Sequence, residues 1–472
     1  MPSTFAGIEL GSRALTASQT VLDVIGQNTA NVSTPGYTRQ TVEIAASDPL
    51  SYGSGTITPG QVGTGVSVQA INRVRDNFID QQVYGANGQQ GALNNLRDTL
   101  KQVEQAYGEP NTSNGLGTQL STLLNSFSDL AANPENVGIR STVRNNAEAL
   151  TTEFHAVSAS LDQINPEISA KIAAGVGVVN ATAAQIASLN KQIGQSVASG
   201  EHPNDLLDRR DHLLTSLSNQ VGIHVTQLSN RETGLATGEV NVTVGGYTLI
   251  DGDTANVLPT QSSSVGSEPG LVTPAGDQIN LKSGELYGLV KASALITGYQ
   301  ADLNTLANTL ITTVNAQHAQ GYGSDGVTGR AFFSGTDAAS INVSIAVKAD
   351  LGTIAAAGPP PAGATFSAGN GANATSIARL TATPVIGNAT LGDYYNSRIG
   401  IIGADTQSYT NQAASQSKIV GQLQNQQASV SGVNLDEELT KMLQYQRSYQ
   451  AAARVVNTMD SVLDTIVNGL KK

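Results

Sequence analysis

Residues 435–470 read LDEELTKMLQYQRSYQAAARVVNTMDSVLDTIVNGL, and this stretch decides the fold. Leu435, Met442, Tyr449, Val456, Leu463 and Leu470 recur every seven residues. Tyr445, Ala452, Met459 and Ile466 fill the position three later, and only Glu438 breaks the series. Such a repeat predicts a helix with a narrow apolar seam, and a narrow seam is buried by another helix rather than by a broad core. The opposite end of the chain supplies a candidate. Across Thr4 to Asn31, Ile8, Leu15 and Leu22 also recur every seven residues, with Ala14, Val21 and Ile25 beside them. The two ends are therefore expected to pair as a coiled coil.

Between the ends the chain reads helix, mixed, helices, β, helix, β, helix. The first helix stops at Ser33-Thr34-Pro35-Gly36, where Pro35 disfavours helix for the residue before it and Gly36 supplies the turn. Thr38 to Val68 alternates like strand, and a helix is expected from about Asn72 to Ala106. A short helix covers Leu116 to Ala131. The longest periodic signal runs from Ile139 to Ile193, with Pro166 expected to kink or split it. At 1.5 Å per residue this pattern spans roughly 80 Å, which implies a rod-shaped body. A helix starts at Asn204 or Asp205, strand-like runs fill 222–283, and helix returns from Gly284 to about His318. Residues 321–392 read as irregular or β, with a flexible joint at Gly358 to Gly363, and Tyr394 to Leu470 reads as helix broken near Ser431-Gly432.

The expected fold is mainly α with inserted β: an elongated multidomain rod with paired terminal helices, a long helical bundle and a β-rich outer domain. Residues 1–36 and 432–472 form the terminal coiled-coil domain in this reading. Residues 37–221, 284–320 and 393–431 form the helical rod domain with a small extended segment, and 222–283 with 321–392 form the outer domain.

Composition excludes several function classes. The 472 residues carry a formal charge of −12, with no basic run, so nucleic acid is not an expected partner. The absence of Cys removes disulfides, thiolate metal sites and a Cys nucleophile. No run of about 18 apolar residues is found, so no membrane is expected, and Met1 to Leu22 does not resemble a secretory signal. Among the five His, the one tempting cluster is Glu201-His202 through Asp211-His212, with Asp205 and Asp208 three apart. It reads as a charged helix start in which Asp205 pairs with Arg209. No catalytic residue, cofactor site or metal site is expected, and the chain is not expected to be an enzyme.

Two short signatures bound the terminal seams. The first is Asn28-Thr29-Ala30-Asn31-Val32-Ser33-Thr34-Pro35-Gly36-Tyr37-Thr38-Arg39-Gln40. It resembles the motif that follows the N-terminal helix in flagellar rod, hook and hook-associated proteins. The second is Ser431-Gly432-Val433-Asn434-Leu435-Asp436-Glu437-Glu438. It resembles the signature opening the C-terminal helix of the flagellar hook-associated protein 1 family. Asn204 to Asp211 and Gly421 to Gln427 resemble the same family. The residues that carry the resemblance are Asn31, Pro35, Gly36, Tyr37 and Arg39 in the first motif. In the second they are Gly432, Asn434, Asp436 and Glu437. Physically, Asn434 would cap a helix whose first turn holds Asp436, Glu437 and Glu438, and Tyr37 and Arg39 would reach a neighbouring subunit.

The resemblance implies a structural subunit at the junction of hook and filament in the bacterial flagellum. Its implied partners are copies of itself in a ring, the hook protein, the second junction protein and an export chaperone holding the C-terminal helix. It implies type III export without signal cleavage and an extracellular place in the flagellum. Ile8, Leu15, Leu22, Ile25, Leu435, Met442, Tyr449, Val456, Leu463 and Leu470 are the expected subunit-interface residues. Another axial protein, either hook or second junction protein, and a non-flagellar coiled-coil scaffold are the rival readings.

Overall fold

The computed structural model describes residues 5–51, 61–108, 115–230, 232–265, 268–274, 276–360 and 365–469. Within these the helices are α1 (Ala6–Ala30), α2 (Asn77–Tyr107), α3 (Leu116–Ala132), α4 (Val137–Ala198), α5 (Asn204–Gln220), α6 (Glu285–His318), α7 (Ile345–Ala349), α8 (Ala372–Ala378), α9 (Leu391–Ser431) and α10 (Leu435–Gly469). The chain divides into two compact units, and the division falls inside α2, α4 and α9.

The first unit comprises Met1–Gln89, Val178–Leu258 and Gln416–Lys472. Strand β1 (Gln40–Ala46) pairs antiparallel with a later strand, and the chain between them forms the short pair β2 (Leu50–Ser51) and β3 (Gln61–Val62). The partner of β1 is β4 (Val66–Arg73), with Gln40 opposite Arg73 and a bulge between Glu43 and Ile44. Because β4 continues through Asn72 and Arg73, α2 starts at Asn77, five residues after the expected Asn72. The strand-like text after Gly222 forms a four-stranded antiparallel sheet: β5 (His224–Ser229), β6 (Ala236–Val244), β7 (Tyr247–Asp251) and β8 (Thr254–Ala255). On β6, Val240, Val242 and Val244 alternate inward, as a half-buried strand requires. Asn190 of α4, fully buried, donates to the carbonyls of Val240 (2.8 Å) and Gly252 (2.7 Å) and so pins the sheet to that helix.

The second unit comprises Gln90–Gly177 and Pro259–Ser415. Leu96, Leu100, Leu120, Phe127, Leu150, Phe154, Leu161 and Leu310 are essentially inaccessible, and they recur at the three- and four-residue spacing read from the sequence. Tyr hydroxyls tie the helices: Tyr107 of α2 donates to the Tyr299 carbonyl of α6, and Tyr299 to Asp405 of α9. A three-stranded sheet joins β9 (Ser262–Val265), β10 (Glu268–Val272) and β11 (Gln278–Asn280), in the order β11-β10-β9. Thus 222–258 lies in the first unit, whereas 259–283 and 321–392 lie in the second, so the first β-like segment is divided between the two units.

Residues 321–392 hold little strand. Among the described residues the strands there are β12 (Phe333–Ser334) and β13 (Asn342–Val343), which pair, with isolated bridges at Tyr322 and Ile386 and the helices α7 and α8. Side chains replace the missing ladder. Asn315 accepts from the amides of Phe332 and Phe333, both at 2.8 Å, and donates to the Phe333 carbonyl at 2.9 Å. Buried Arg140 donates to the carbonyls of Pro134, Leu351 and Ile354. Phe332 stacks edge-on against Phe127 at 5.2 Å and against Phe333 at 4.9 Å. Part of the Pro-rich joint, 361–363, lies outside the described residues.

Two expectations need correction. Pro166 does not split α4, which runs unbroken from Val137 to Ala198. The residues flanking the proline are held by α6: Gln300 donates to Asp162, and Ser293 donates to Asn165. Also, α4 holds an 18-residue stretch apolar enough, by length and composition, to cross a bilayer. No continuous run of large apolar residues marks it, because Ala, Gly and polar residues interrupt the series. Its large side chains, Ile164, Ile168, Ile172, Val176, Val179 and Ile186, line one buried stripe, as in a core helix.

Candidate functional site

The terminal helices pair within the chain, and α1 and α10 run antiparallel. Gly7 faces Met459, Gly11 faces Val456, and Asn28 meets Glu438. The facing numbers add to 466 or 467 at all three points, so one continuous register holds along α1. The close approach depends on small residues. A Cβ on Gly11 would lie 2.6 Å from Val456 Cγ2, and one on Gly7 would lie 2.9 Å from Met459 Sδ. Towards its C-terminal end the buried face of α1 becomes Ala17, Ser18, Val21, Val24, Ile25 and Asn28.

At that end the apolar seam gives way to a buried polar hub. Asn28 and Glu438 are each only 1% exposed. Asn28 Nδ2 donates to the Gln40 carbonyl (2.9 Å) and to Glu438 Oε2 (3.0 Å). Asn28 Oδ1 accepts from the Gln40 amide (3.0 Å) and from the Tyr37 hydroxyl (2.9 Å). All four hydrogen-bonding positions of this amide are filled. The other Glu438 oxygen takes Lys441 Nζ at 3.3 Å. Burial, then the carboxylates of Asp208, Asp205 and Glu438, push the Tyr37 phenol up to about 12, so it stays protonated and donating at neutral pH. Gly36 turns the chain into the hub with φ +81°, a conformation that side chains rarely adopt.

Beside the hub lies an ion network on α5. Arg73 NH1 reaches Asp208 Oδ1 (2.7 Å) and Asp211 Oδ2 (2.8 Å). Arg75 reaches Asp80 (2.6 Å) and Asp211 Oδ2 (2.8 Å). Burial opposes the Arg75 charge, but Asp211 and Asp80 outweigh it and hold its pKa above the ordinary value. Burial draws the Arg210 pKa down, with Asp211 at 3.7 Å acting against it. The network is tied to the hub region by Thr38, whose amide donates to Asp208 Oδ2 (3.0 Å), and by Asn204, which donates to Gln40 Oε1 and the Ile71 carbonyl. Gln427 near the end of α9 donates to Asp80. Among the described residues no group of three or more His, Asp or Glu is placed to hold a metal ion.

Comparison with known proteins gives this helix pair a context. Residues 8–38 match the family described as flagella basal body rod protein, and 424–469 match the flagellar basal body rod FlgEFG protein C-terminal family. Residues 100–333 match the flagellar hook-associated protein FlgK helical domain. Over its whole length the chain is 31% identical to flagellar hook-associated protein 1 of Bacillus subtilis, covering 99% of that protein. The chain belongs to the flagellar hook-associated protein 1 family. The Salmonella typhimurium relative of the same name is 26% identical, over 96% of this chain and 98% of its own. The fold is similar to the flagellar hook junction protein FlgK from Burkholderia pseudomallei, with TM-score 0.64 and 18% identity, covering 74% of this chain and all of that one.

In this member of the hook-associated protein 1 family the two terminal motifs share one location: both build the hub. In the first, Tyr37 and Arg39 engage their own chain. Tyr37 donates to Asn28, and Arg39 donates to Glu437 (2.9 Å) while its amide donates to the Ser431 carbonyl. Partners some 400 residues away cannot be seen in a local motif. The Arg39–Glu437 pair is exposed on the Glu side and contributes at most about 1 kcal/mol. Asn31 bonds the Thr34 hydroxyl at the turn, and Pro35 and Gly36 carry the reversal. In the second motif Asn434 caps α10, its Oδ1 accepting from the Asp436 amide (3.0 Å), and Gly432 sits in the break between α9 and α10. No ion pair joins Asp205 to Arg209 among the described residues; Asp208 turns to Arg73 instead.

Of the expected interface residues, Ile25 is buried. Ile8, Leu15, Leu22, Met442, Val456 and Leu463 are half-buried. Leu435 and Tyr449 are exposed, and Leu470 lies outside the described residues. Sequence reasoning missed Gly7, Gly11, Asn28 and Arg73. The available signal was the spacing of Gly7, Gly11, Ala14 and Ala17, a line of small residues, and the closely spaced Arg73 and Arg75 at the end of a strand.

Proposed function

We propose that the chain is a structural subunit of the hook–filament junction, self-assembling through its terminal helices after type III export. The observation that carries self-assembly is the apolar surface that α10 keeps after pairing with α1. Leu435, Leu439 and Leu443 form one exposed run, and Val455, Val462 and Ile466 form another. At 100° per residue the two runs flank the α1-facing stripe on opposite sides. Two different sticky flanks suit head-to-tail contacts between successive copies, which close a ring or continue a helix. The junction position is supported by the full-length similarity to proteins named flagellar hook-associated protein 1.

In this reading the hook protein contacts one side of the ring and the second junction protein the other. A chaperone shields the exposed runs of α10 before export, and the chain ends outside the cell in the flagellum. Deleting the gene is expected to abolish motility while hooks remain and flagellin is secreted into the medium. Loss of the hooks as well, or unchanged motility, would count against the junction role.

A further inference from the structure

We infer that Asn28 and Glu438 are the register pin of the terminal helix pair: they select one alignment of α1 on α10 and reject the alignments that the apolar seams tolerate. The inference stands on the geometry of the pair, whether or not the junction reading holds.

A seam that repeats every seven residues looks nearly the same after a slide of seven. Between α1 and α10 such a slide still sets apolar or small positions against apolar ones, Gly11 meeting Tyr449 or Leu463 and Ala14 meeting Tyr445 or Met459. The polar pair is what changes. One slide places Glu438 against Val21, whose side chain is apolar and buried. The other carries Glu438 past the end of α1, to the level of Pro35, and sets Asn28 against Tyr445. Either slide parts a buried carboxylate from its amide donor. It also strips Asn28 of the contact that completes its four hydrogen bonds. A buried polar residue that fixes alignment at some cost in stability is a known device of coiled coils. Here the loop after α1 reinforces it, because Tyr37 and Gln40 orient the Asn28 amide from the other side. The break in the heptad at Glu438 is thus the residue that gives the heptad a unique alignment.

The chain has no Cys, so introduced pairs are its only thiols. In the observed register Ala14 faces Ala452; after the two slides it would face Tyr445 or Met459. In the full-length protein, Ala14→Cys with Ala452→Cys is expected to close under mild oxidation. Closure with Tyr445→Cys or Met459→Cys should be lower by roughly 100-fold, the preference expected from one stranded buried charge. Adding Asn28→Asp sets two carboxylates face to face and should reduce native closure at least about tenfold. Adding Glu438→Gln as well restores a donor opposite the carboxylate, while the donation to the Gln40 carbonyl stays lost, so closure should recover in part, by at least about threefold over Asn28→Asp alone. The inference is overturned if the native pair fails to close in the otherwise unsubstituted chain. It is also overturned if Asn28→Asp leaves the closure pattern unchanged, or if Glu438→Gln does not rescue a loss, whether that loss comes from slippage or from unfolding.

Discussion

Asp211→Ala is expected to destabilise the α5 region by roughly 3–5 kcal/mol, the typical penalty for breaking a buried charge network from one side. Asp211 is 7% exposed, and its Oδ2 takes a guanidinium NH of both Arg73 and Arg75 at 2.8 Å. Arg210 lies 3.7 Å from the other oxygen. Without that carboxylate, three clustered and mostly buried cations keep only Asp208 and Asp80 for balance. Hydrogen exchange reads the effect locally, which matters in a chain of two units where one global transition is not assured. Amides in 66–73 and 208–218 should lose protection by about 10²–10³-fold. A change corresponding to less than about 1 kcal/mol would show that the network is not what holds these elements together.

A second large effect is set by pH, in the other unit. His318 is fully buried, and the Ala355 amide donates to its Nε2 at 2.8 Å. The proton therefore sits on Nδ1, facing the Arg330 carbonyl at 2.7 Å. Burial lowers the pKa to about 4. An unfolded chain takes up this proton near pH 6.5, whereas the folded chain refuses it until about pH 4. The neutral ring thus gives its full contribution above about pH 6.5, and stability falls as pH drops from there to about 4. The loss across that window is roughly 3 kcal/mol. Urea midpoints measured between pH 7 and pH 4 should fall more steeply in the natural chain than in His318→Gln, the difference isolating this one group. Parallel pH profiles for the two proteins would contradict the assignment.

Much of the fold was legible because helices announce themselves by period. The boundaries of α3, α6 and α10 and the break between α9 and α10 follow from apolar spacing and from the Ser431-Gly432 and Asn434 signals. The strand-like runs read from 222 onward likewise hold a four-stranded sheet. What periodicity could not show is which polar groups meet across the fold. Glu438 looked like an error in the heptad until Asn28, 410 residues earlier, stood against it. The α1 contact was read on Ile8, Leu15 and Leu22, yet the tightest approach is at Gly7 and Gly11, where absent side chains carry no hydrophobic signal. Residues 321–392 misled for a related reason. Their backbone is bonded by side chains such as Asn315 and Arg140, and residues 342–349 there form two paired residues followed by a helical turn.

The central claim, that this family member forms the joint between hook and filament, is tested most directly by labelled imaging of detached flagella. A tag on an exposed site of the second unit, with the terminal helices left untouched, should appear as a single narrow band at the hook–filament boundary. Label spread along the hook or the filament, or absent from flagella altogether, would contradict it.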